Sequence, residues 1–320
     1  MPRTFNSAKD IPPLEGKVVL ITGGNAGIGA STVRALALHH PACIYLCARK
    51  ISAAEALIQS IHETSPKANI VPLQLDLSSF DSIRRCAEEF NQQSDRLDIL
   101  FLNAGICATP PALTNEGYES QFGVNHVGHA LLTQLLIPKM LRTQQDHPKA
   151  DVRIHCTSSM GGVVFVPATG LDLQQMDKAD AFSHGMVRYG HSKLCNILFA
   201  RKLAQTYPSI STTSSHPGTV KSDIWGKAYE EHKWLSRLLA PVVWMTGVST
   251  DEGAKTQLWC TTAATGKGNG LVENGKFYVP TGKLSDDNKN QKNQALVDEL
   301  WEWTSKELAK HGAPGWPAAL

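Results

Sequence analysis

Thr22-Gly23-Gly24-Asn25-Ala26-Gly27-Ile28-Gly29 follows the apolar run Val18-Val19-Leu20-Ile21 and leads into Ala30-Ser31-Thr32-Val33-Arg34-Ala35-Leu36. That order reads as a buried strand, a tight turn and a helix. Glycines at 23, 27 and 29 let the backbone turn sharply and come close to a pyrophosphate. The unpaired N–H groups and positive dipole end of the helix then face the phosphates. On this reading Gly23, Asn25, Gly27, Ile28 and Gly29 line a dinucleotide. The spacing is Gly-x-x-x-Gly-x-Gly, not the commoner Gly-x-Gly-x-x-Gly, and an ordinary glycine turn is the alternative. The rest of the chain has to decide between them.

Working outward, strands and helices alternate from residue 17 to about residue 105, which predicts a parallel sheet with helices on both faces. The second strand is Cys43-Ile44-Tyr45-Leu46-Cys47-Ala48. An NAD site places an acidic residue about 20 residues beyond the turn, on the ribose 2′-hydroxyl. Here that position holds Arg49, followed by Lys50. A guanidinium offers a 2′-phosphate charge and a planar donor fork, so NADP(H) is the cofactor expected. A solvated strand end is the other reading of Arg49.

A helix from Ala53 to Thr64 precedes the strand Asn69 to Leu75, which ends in Asp76-Leu77. Ser78-Ser79 caps a helix running to Asn91, and the strand Asp98 to Leu102 ends in Asn103-Ala104-Gly105. Ligands of doubly wound sheets lie at the carboxyl ends of strands, so these ends line one crevice. A long helix is predicted over 115–140, with Asn125 inside it holding either a water or a backbone kink. His126 and His129, three residues apart, read as packing or surface residues, and no metal site is expected.

The strand Asp151 to Cys156 runs into Thr157-Ser158-Ser159, and a Gly-rich apolar loop covers 160–186. Tyr189 and Lys193 follow, four residues apart and on one helix face. A sixth strand over 210–215 leads to Pro217-Gly218-Thr219-Val220. Trp225, Trp234 and Trp244 lie in the segment 221–250, read either as helix core or as a lid over a bulky apolar substrate. A helix over 250–262, an edge strand over 275–280, a polar loop over 283–293 and a helix over 294–311 complete the chain. With a short N-terminal arm, 1–15, and a C-terminal extension, 281–320, all of it reads as one domain.

The balance of 31 basic and 29 acidic side chains over 320 residues argues against a nucleic-acid surface or a polybasic membrane surface. No apolar stretch is long enough to cross a bilayer and no secretory leader is evident, so a cytoplasmic protein is expected. The seven cysteines form no Cys-x-x-Cys pair and read as buried thiols.

The ordered set Thr22 to Gly29, Asp76-Leu77, Asn103-Ala104-Gly105, Asn125, Ser158-Ser159, Tyr189-x-x-x-Lys193 and Pro217-Gly218 resembles the short-chain dehydrogenase/reductase family. The chain is most similar to the retinol dehydrogenase-like branch and to reductases of fungal biosynthetic pathways. The resemblance covers about residues 15–265. It implies an α/β, doubly wound Rossmann-type parallel sheet of about seven strands with a C-terminal helical extension. It also implies an NADP(H)-dependent interconversion of a carbonyl and an alcohol on a hydrophobic small molecule. Tyr189 would be the general acid of reduction, its pKa lowered from about 10 by the Lys193 ammonium. Lys193 would also hold the nicotinamide ribose. Ser159, with Ser158 as the alternative, would hydrogen-bond the substrate oxygen, and Asn125 would place a water in a proton relay. Val220 would meet the nicotinamide amide, beside Pro217 and Gly218. Ser222 stands where related sequences often carry Thr, and the thirty residues between Ser159 and Tyr189 imply an insertion lining the substrate cleft. Relatives use the helices near 115–140 and 187–207 as dimer faces, which implies a homodimer or homotetramer unless the C-terminal extension covers them. A regulatory scaffold or a non-redox, cyclase-like activity is the competing class; the complete Asn125, Ser159, Tyr189 and Lys193 set argues against it.

Overall fold

The structure, a computed structural model, describes residues 4–182, 184–221, 247–285 and 288–319. Seven parallel strands stand side by side: β1 Val18–Thr22, β2 Cys43–Ala48, β3 Ile70–Gln74, β4 Ile99–Leu102, β5 Arg153–Thr157, β6 Ser211–Ser215 and β7 Phe277–Val279. An eighth, β8 Lys283–Leu284, pairs antiparallel with β7, and the sheet order is 3-2-1-4-5-6-7-8. β1, β2, β4 and β5 are buried at every position, as strands covered on both faces must be. The order reverses at β1, so a crevice opens beyond the carboxyl ends of β1 and β4.

One apolar core lies under the face that carries α3 Phe80–Gln93, α5 Gly128–Asp146 and α7 Gly185–Thr206. The other lies under α1 Gly27–Ala37, α2 Ile51–His62 and the helix Thr250–Thr262. Phe5, Ile11 and Leu14 of the N-terminal arm are buried in this second core.

Several boundaries differ from the sequence reading, each for a local reason. Among the described residues the sheet has the expected seven parallel strands and an eighth, antiparallel one, so β7 is not its edge. The region read as a polar loop over 283–293 holds β8 and a short helix, Lys289–Lys292, capped by the Asn288 side chain. The helix expected over 115–140 starts later and is broken: α4, Ser120–Phe122, passes into a π turn, Gly123–Val127, before α5. α5 then runs through Pro138 to Asp146, held by Leu136, Ile137, Met140 and Leu141 in the core. The apolar loop after β5 contains α6, Gly161–Val164, and a single 3-10 turn, Leu173–Gln175. Of the tryptophan-bearing segment, residues 222–246 lie outside the described residues, and Trp225, Trp234 and Trp244 with them.

Candidate active site

The glycine turn is shaped by contact. Gly23 and Gly27 have φ of +64° and +52°, a region that side chains rarely enter. A Cβ on Gly29 would lie 2.1 Å from the Gly23 carbonyl oxygen and 2.7 Å from Asn103 Nδ2. Helix α1 begins at Gly27, after Ala26 at its N-cap, with no side-chain cap and no acidic residue in its first turn, so its N-terminal N–H groups are left for an anion. These features fit a pyrophosphate. Ile28 and Val220 both lie against Gly253: a Cβ there would lie 2.6 Å from Val220 Cγ2 and 3.5 Å from Ile28 Cγ1. Val220 also bridges Val248, and Gly218 turns the chain with φ of +90°.

Arg49 and Lys50 are exposed at the carboxyl end of β2, beside the turn, where Gly23 N–H donates to the Cys47 carbonyl at 2.8 Å. Asp76 closes the end of β3. Its Oδ1 accepts from Ser78 N–H at 2.9 Å and from the Ser78 hydroxyl at 2.7 Å. Leu77 is buried, and the Leu77 carbonyl would lie 2.4 Å from a Cβ on Gly128. At the end of β4, Asn103 donates to the Thr22 carbonyl at 3.0 Å, and the Thr22 hydroxyl accepts from Asn103 N–H at 2.9 Å and Ala104 N–H at 3.0 Å. Gln257 reaches across to Asn103 Oδ1 at 3.3 Å.

Asn125 lies in the π turn, so the helix backbone is kinked at this residue. Its Oδ1 accepts from Ile106 N–H at 2.8 Å, and its Nδ2 donates to the Ile106 carbonyl and the Ser192 hydroxyl, each at 2.9 Å. A Cβ on Gly105 would lie 3.1 Å from Asn125 Oδ1 and 3.2 Å from Lys193 Nζ, so these two groups meet over that glycine.

Helix α7 carries Tyr189 and Lys193. Gly161, Gly162 and Gly190 let α6 lie directly on it: a Cβ on Gly162 would sit 2.6 Å from Leu194 N, and one on Gly161 3.2 Å from the Tyr189 ring. Lys193 Nζ donates to the Thr157 carbonyl at 2.9 Å and stands 5.7 Å from the centroid of the Tyr189 ring. Burial lowers the Lys193 ammonium to about 8, a value that nearby Cys107 and Cys156 hold up in part. The expected direction for Tyr189 is reversed. Burial pushes its phenol above the ordinary value, Cys107 adds to this, and a hydrogen bond with Ser159 opposes it. Desolvation of the phenolate is the largest of these causes.

The two serines are separated by the alternation of the strand that precedes them. Ser158 is buried and donates to the Lys193 carbonyl at 2.6 Å, while Ser159, half-buried, accepts from Gly161 N–H at 3.0 Å and meets Tyr189. Cys107, Ala108 and Met186 form an apolar wall against Tyr189.

The structure thus brings Asn125, Ser159, Tyr189 and Lys193 to the crevice that the glycine turn and the β3, β4 and β6 ends also border. Thr22, Ile106, Ser192 and Gln257 join it as supports that sequence reasoning passed over; the hydroxyl at the end of β1 was the one visible sign of them. No group of three or more metal-ligating side chains occurs among the described residues, and no described helix is long and apolar enough to cross a membrane.

A nucleotide-binding α/β sheet whose crevice holds a Ser, Tyr and Lys set defines a class of dehydrogenases, and comparison with known proteins agrees. A family profile described as short chain dehydrogenase matches residues 17–170. A short-chain dehydrogenase/reductase, drtF, of Aspergillus calidoustus is 35% identical over 315 residues, spanning 94% of this chain and 96% of that one. Retinol dehydrogenase 12 of Mus musculus is 37% identical over 253 residues, spanning 78% and 74%. The chain belongs to the short-chain dehydrogenase/reductase family of oxidoreductases. A crystal structure of NADPH-bound carbonyl reductase from chicken fatty liver superposes with a TM-score of 0.64 at 23% identity, covering 87% of this chain and 97% of that one, a likeness of fold.

Proposed function

We propose that this protein is an NADP(H)-dependent oxidoreductase that interconverts a carbonyl and an alcohol on a hydrophobic small molecule, with reduction as the working direction. The observation that carries the reading is the meeting of Tyr189, Ser159 and Lys193 beside an apolar wall of Cys107, Ala108 and Met186. When bound, the nicotinamide cofactor supplies the hydride.

The protein's residues supply the rest. The Tyr189 hydroxyl delivers the proton to the carbonyl oxygen, and its raised pKa keeps it in the acid form that reduction requires. The Ser159 hydroxyl, beside Tyr189, donates a hydrogen bond to the same oxygen as negative charge grows on it. Lys193 favours the tyrosinate left behind, and Asn125 stands ready to place a water that returns the proton. Arg49, with Lys50, takes the 2′-phosphate; the absence of a carboxylate at that strand end supports NADPH over NADH. The NADPH held by the chicken carbonyl reductase agrees with that choice. A place in cytoplasmic biosynthetic metabolism belongs to the same reading and rests on resemblance alone.

The test is to titrate the purified protein with NADPH and with NADH by calorimetry, then follow nicotinamide absorbance with a panel of apolar ketones and aldehydes. Carbonyl-dependent NADPH oxidation is expected. Tight NADPH binding with no oxidation of it across the panel would favour the non-redox scaffold.

A further inference from the structure

His129 is 2% exposed, and both of its ring nitrogens are engaged. Nδ1 lies 3.0 Å from the Asn125 carbonyl oxygen and Nε2 lies 2.9 Å from Thr22 Oγ1. A carbonyl can only accept, so Nδ1 carries the ring proton and Nε2 is the acceptor of a neutral ring. Burial keeps the ring neutral, with its pKa pushed down to about 4. On the other side, the Thr22 hydroxyl accepts the N–H groups of Asn103 and Ala104, which fill both of its lone pairs. Its single hydrogen goes to His129 Nε2 at 2.9 Å in preference to the Phe101 carbonyl at 3.3 Å. A protonated His129 would press a third donor on that oxygen, so the arrangement requires the neutral ring.

We propose that His129 is a positioning residue that joins the cofactor half of the site to the proton-transfer half. Through Thr22 it sets the hydroxyl that orients the Asn103-Ala104 strand end; through the Asn125 carbonyl it holds the π turn that carries the catalytic amide. The Asn125 side chain continues the line to Ser192, whose hydroxyl donates to the Tyr189 carbonyl at 2.8 Å. A packing histidine needs only apolar neighbours and one partner. This one exhausts the hydrogen-bonding capacity of a hydroxyl at the tip of β1 and of its own ring.

The inference rests on the dehydrogenase reading above, and its two bonds can be cut separately. The amide of His129→Gln reaches the Nε2 position and keeps the Thr22 contact; that of His129→Asn reaches only the Nδ1 position. NADPH dissociation constants by calorimetry, kcat with an apolar carbonyl substrate, and urea unfolding are measured for both, together with Thr22→Ser, Thr22→Val and the Thr22→Val/His129→Asn double variant. His129→Asn and Thr22→Val are expected to weaken NADPH about tenfold, and Thr22→Ser by less than about twofold. His129→Gln is expected to lower kcat about tenfold while NADPH affinity changes less than about threefold. The double variant should lose no more affinity or stability than the worse single one.

Equal effects of His129→Gln and His129→Asn on both constants, or additive losses in the double variant, overturn the proposal. Should the His129 variants fail to fold, the Thr22 pair asks the same question from the other end: Thr22→Val matching Thr22→Ser in affinity overturns it. A wild-type protein that binds no NADPH instead overturns the dehydrogenase reading, and the coupling of Thr22 to His129 in unfolding still tests the linkage.

Discussion

The Asn125 side chain grips Ile106 by both of its polar atoms: Oδ1 accepts the Ile106 N–H at 2.8 Å and Nδ2 donates to the Ile106 carbonyl at 2.9 Å. The loop that follows β4 is thereby tied to the π turn, one residue away from Gly105, over which Lys193 and Asn125 meet. Asn125→Leu keeps the volume and removes the grip, leaving the Ile106 amide groups and the Ser192 hydroxyl short of partners. Unfolding free energy should fall by about 2 kcal/mol, read by urea titration, and turnover should fall with it. Stability equal to wild type would mean that the loop holds its place without the amide.

Ser158 and Ser159 are adjacent in sequence and opposite in use. In the proposed mechanism Ser159→Ala removes a hydrogen bond that strengthens as charge builds on the substrate oxygen, so kcat should fall about 100-fold with NADPH affinity unchanged. Tyr189→Phe removes the proton donor and should lower kcat by at least about 100-fold. Ser158→Ala loses a bond to the Lys193 carbonyl and should cost about 1 kcal/mol of stability with a smaller effect on kcat. Steady-state kinetics with parallel unfolding curves reads all three. A larger kcat loss at Ser158 than at Ser159 reverses the assignment.

Arg49 is exposed at the end of β2, so its replacement should leave the fold intact. Arg49→Asp sets a carboxylate where a 2′-phosphate would sit and should weaken NADPH about 100-fold, with NADH changed less than about threefold. Calorimetric titration with each nucleotide measures the ratio. Equal losses for both would remove the basis for the NADP(H) assignment.

Much of this was legible in the chain. β1, β2, β4 and the glycine turn could be read because strands buried on both faces are continuous apolar runs, and a glycine turn between strand and helix has few other uses. Of the π turn only a kink at Asn125 was legible, because its form is set by packing: a Cβ on Gly123 would lie 2.3 Å from Thr114 Cγ2, and Gly128 rides on the Leu77 carbonyl. β8 escaped notice because two residues, Lys283 and Leu284, carry no periodicity. His129 looked like a packing or surface histidine because its partners, Thr22 and the backbone of Asn125, become neighbours only when β1 and α5 are laid side by side. The Tyr189 pKa went the other way because spacing along a helix shows the charge of Lys193 and not the desolvation around the phenol.

Buried histidines make stability depend on acid. Unfolded histidines titrate near pH 6.5, whereas burial holds His126 and His155 neutral down to about 3 and His129 down to about 4. Between these values the unfolded chain binds more protons than the folded one, so stability falls as pH drops. With His191 and His216, which burial also pushes down to about 4, five such residues correspond to about 7 kcal/mol per pH unit near about pH 5. Urea unfolding at a series of pH values measures the slope, and His155→Gln should reduce it by about one proton's share. A flat profile from about pH 7 to about pH 5 would contradict the buried neutral rings.

The C-terminal helix, Gln294–Lys310, packs against α7 within the chain. It lies on α7 and on the π turn, with Thr304 Oγ1 2.9 Å from His126 Nε2, Trp303 5.2 Å from Phe122 and Trp301 6.1 Å from Phe199 between ring centroids. Trp316 of the tail stacks on Trp301 at 4.2 Å, and Tyr207 at the end of α7 donates to the Pro317 carbonyl at 2.8 Å. These contacts cover part of α7, one of the two helices that the family resemblance offers as dimer faces. Light scattering on the whole chain should therefore give the monomer mass. Trp301→Ala with Trp303→Ala strips the apolar contacts from the helix and should either lower stability by about 3 kcal/mol or more or drive self-association through the uncovered face. A stable dimer of the unaltered chain, disrupted by substitutions on the exposed side of this helix, would place the interface on the extension itself.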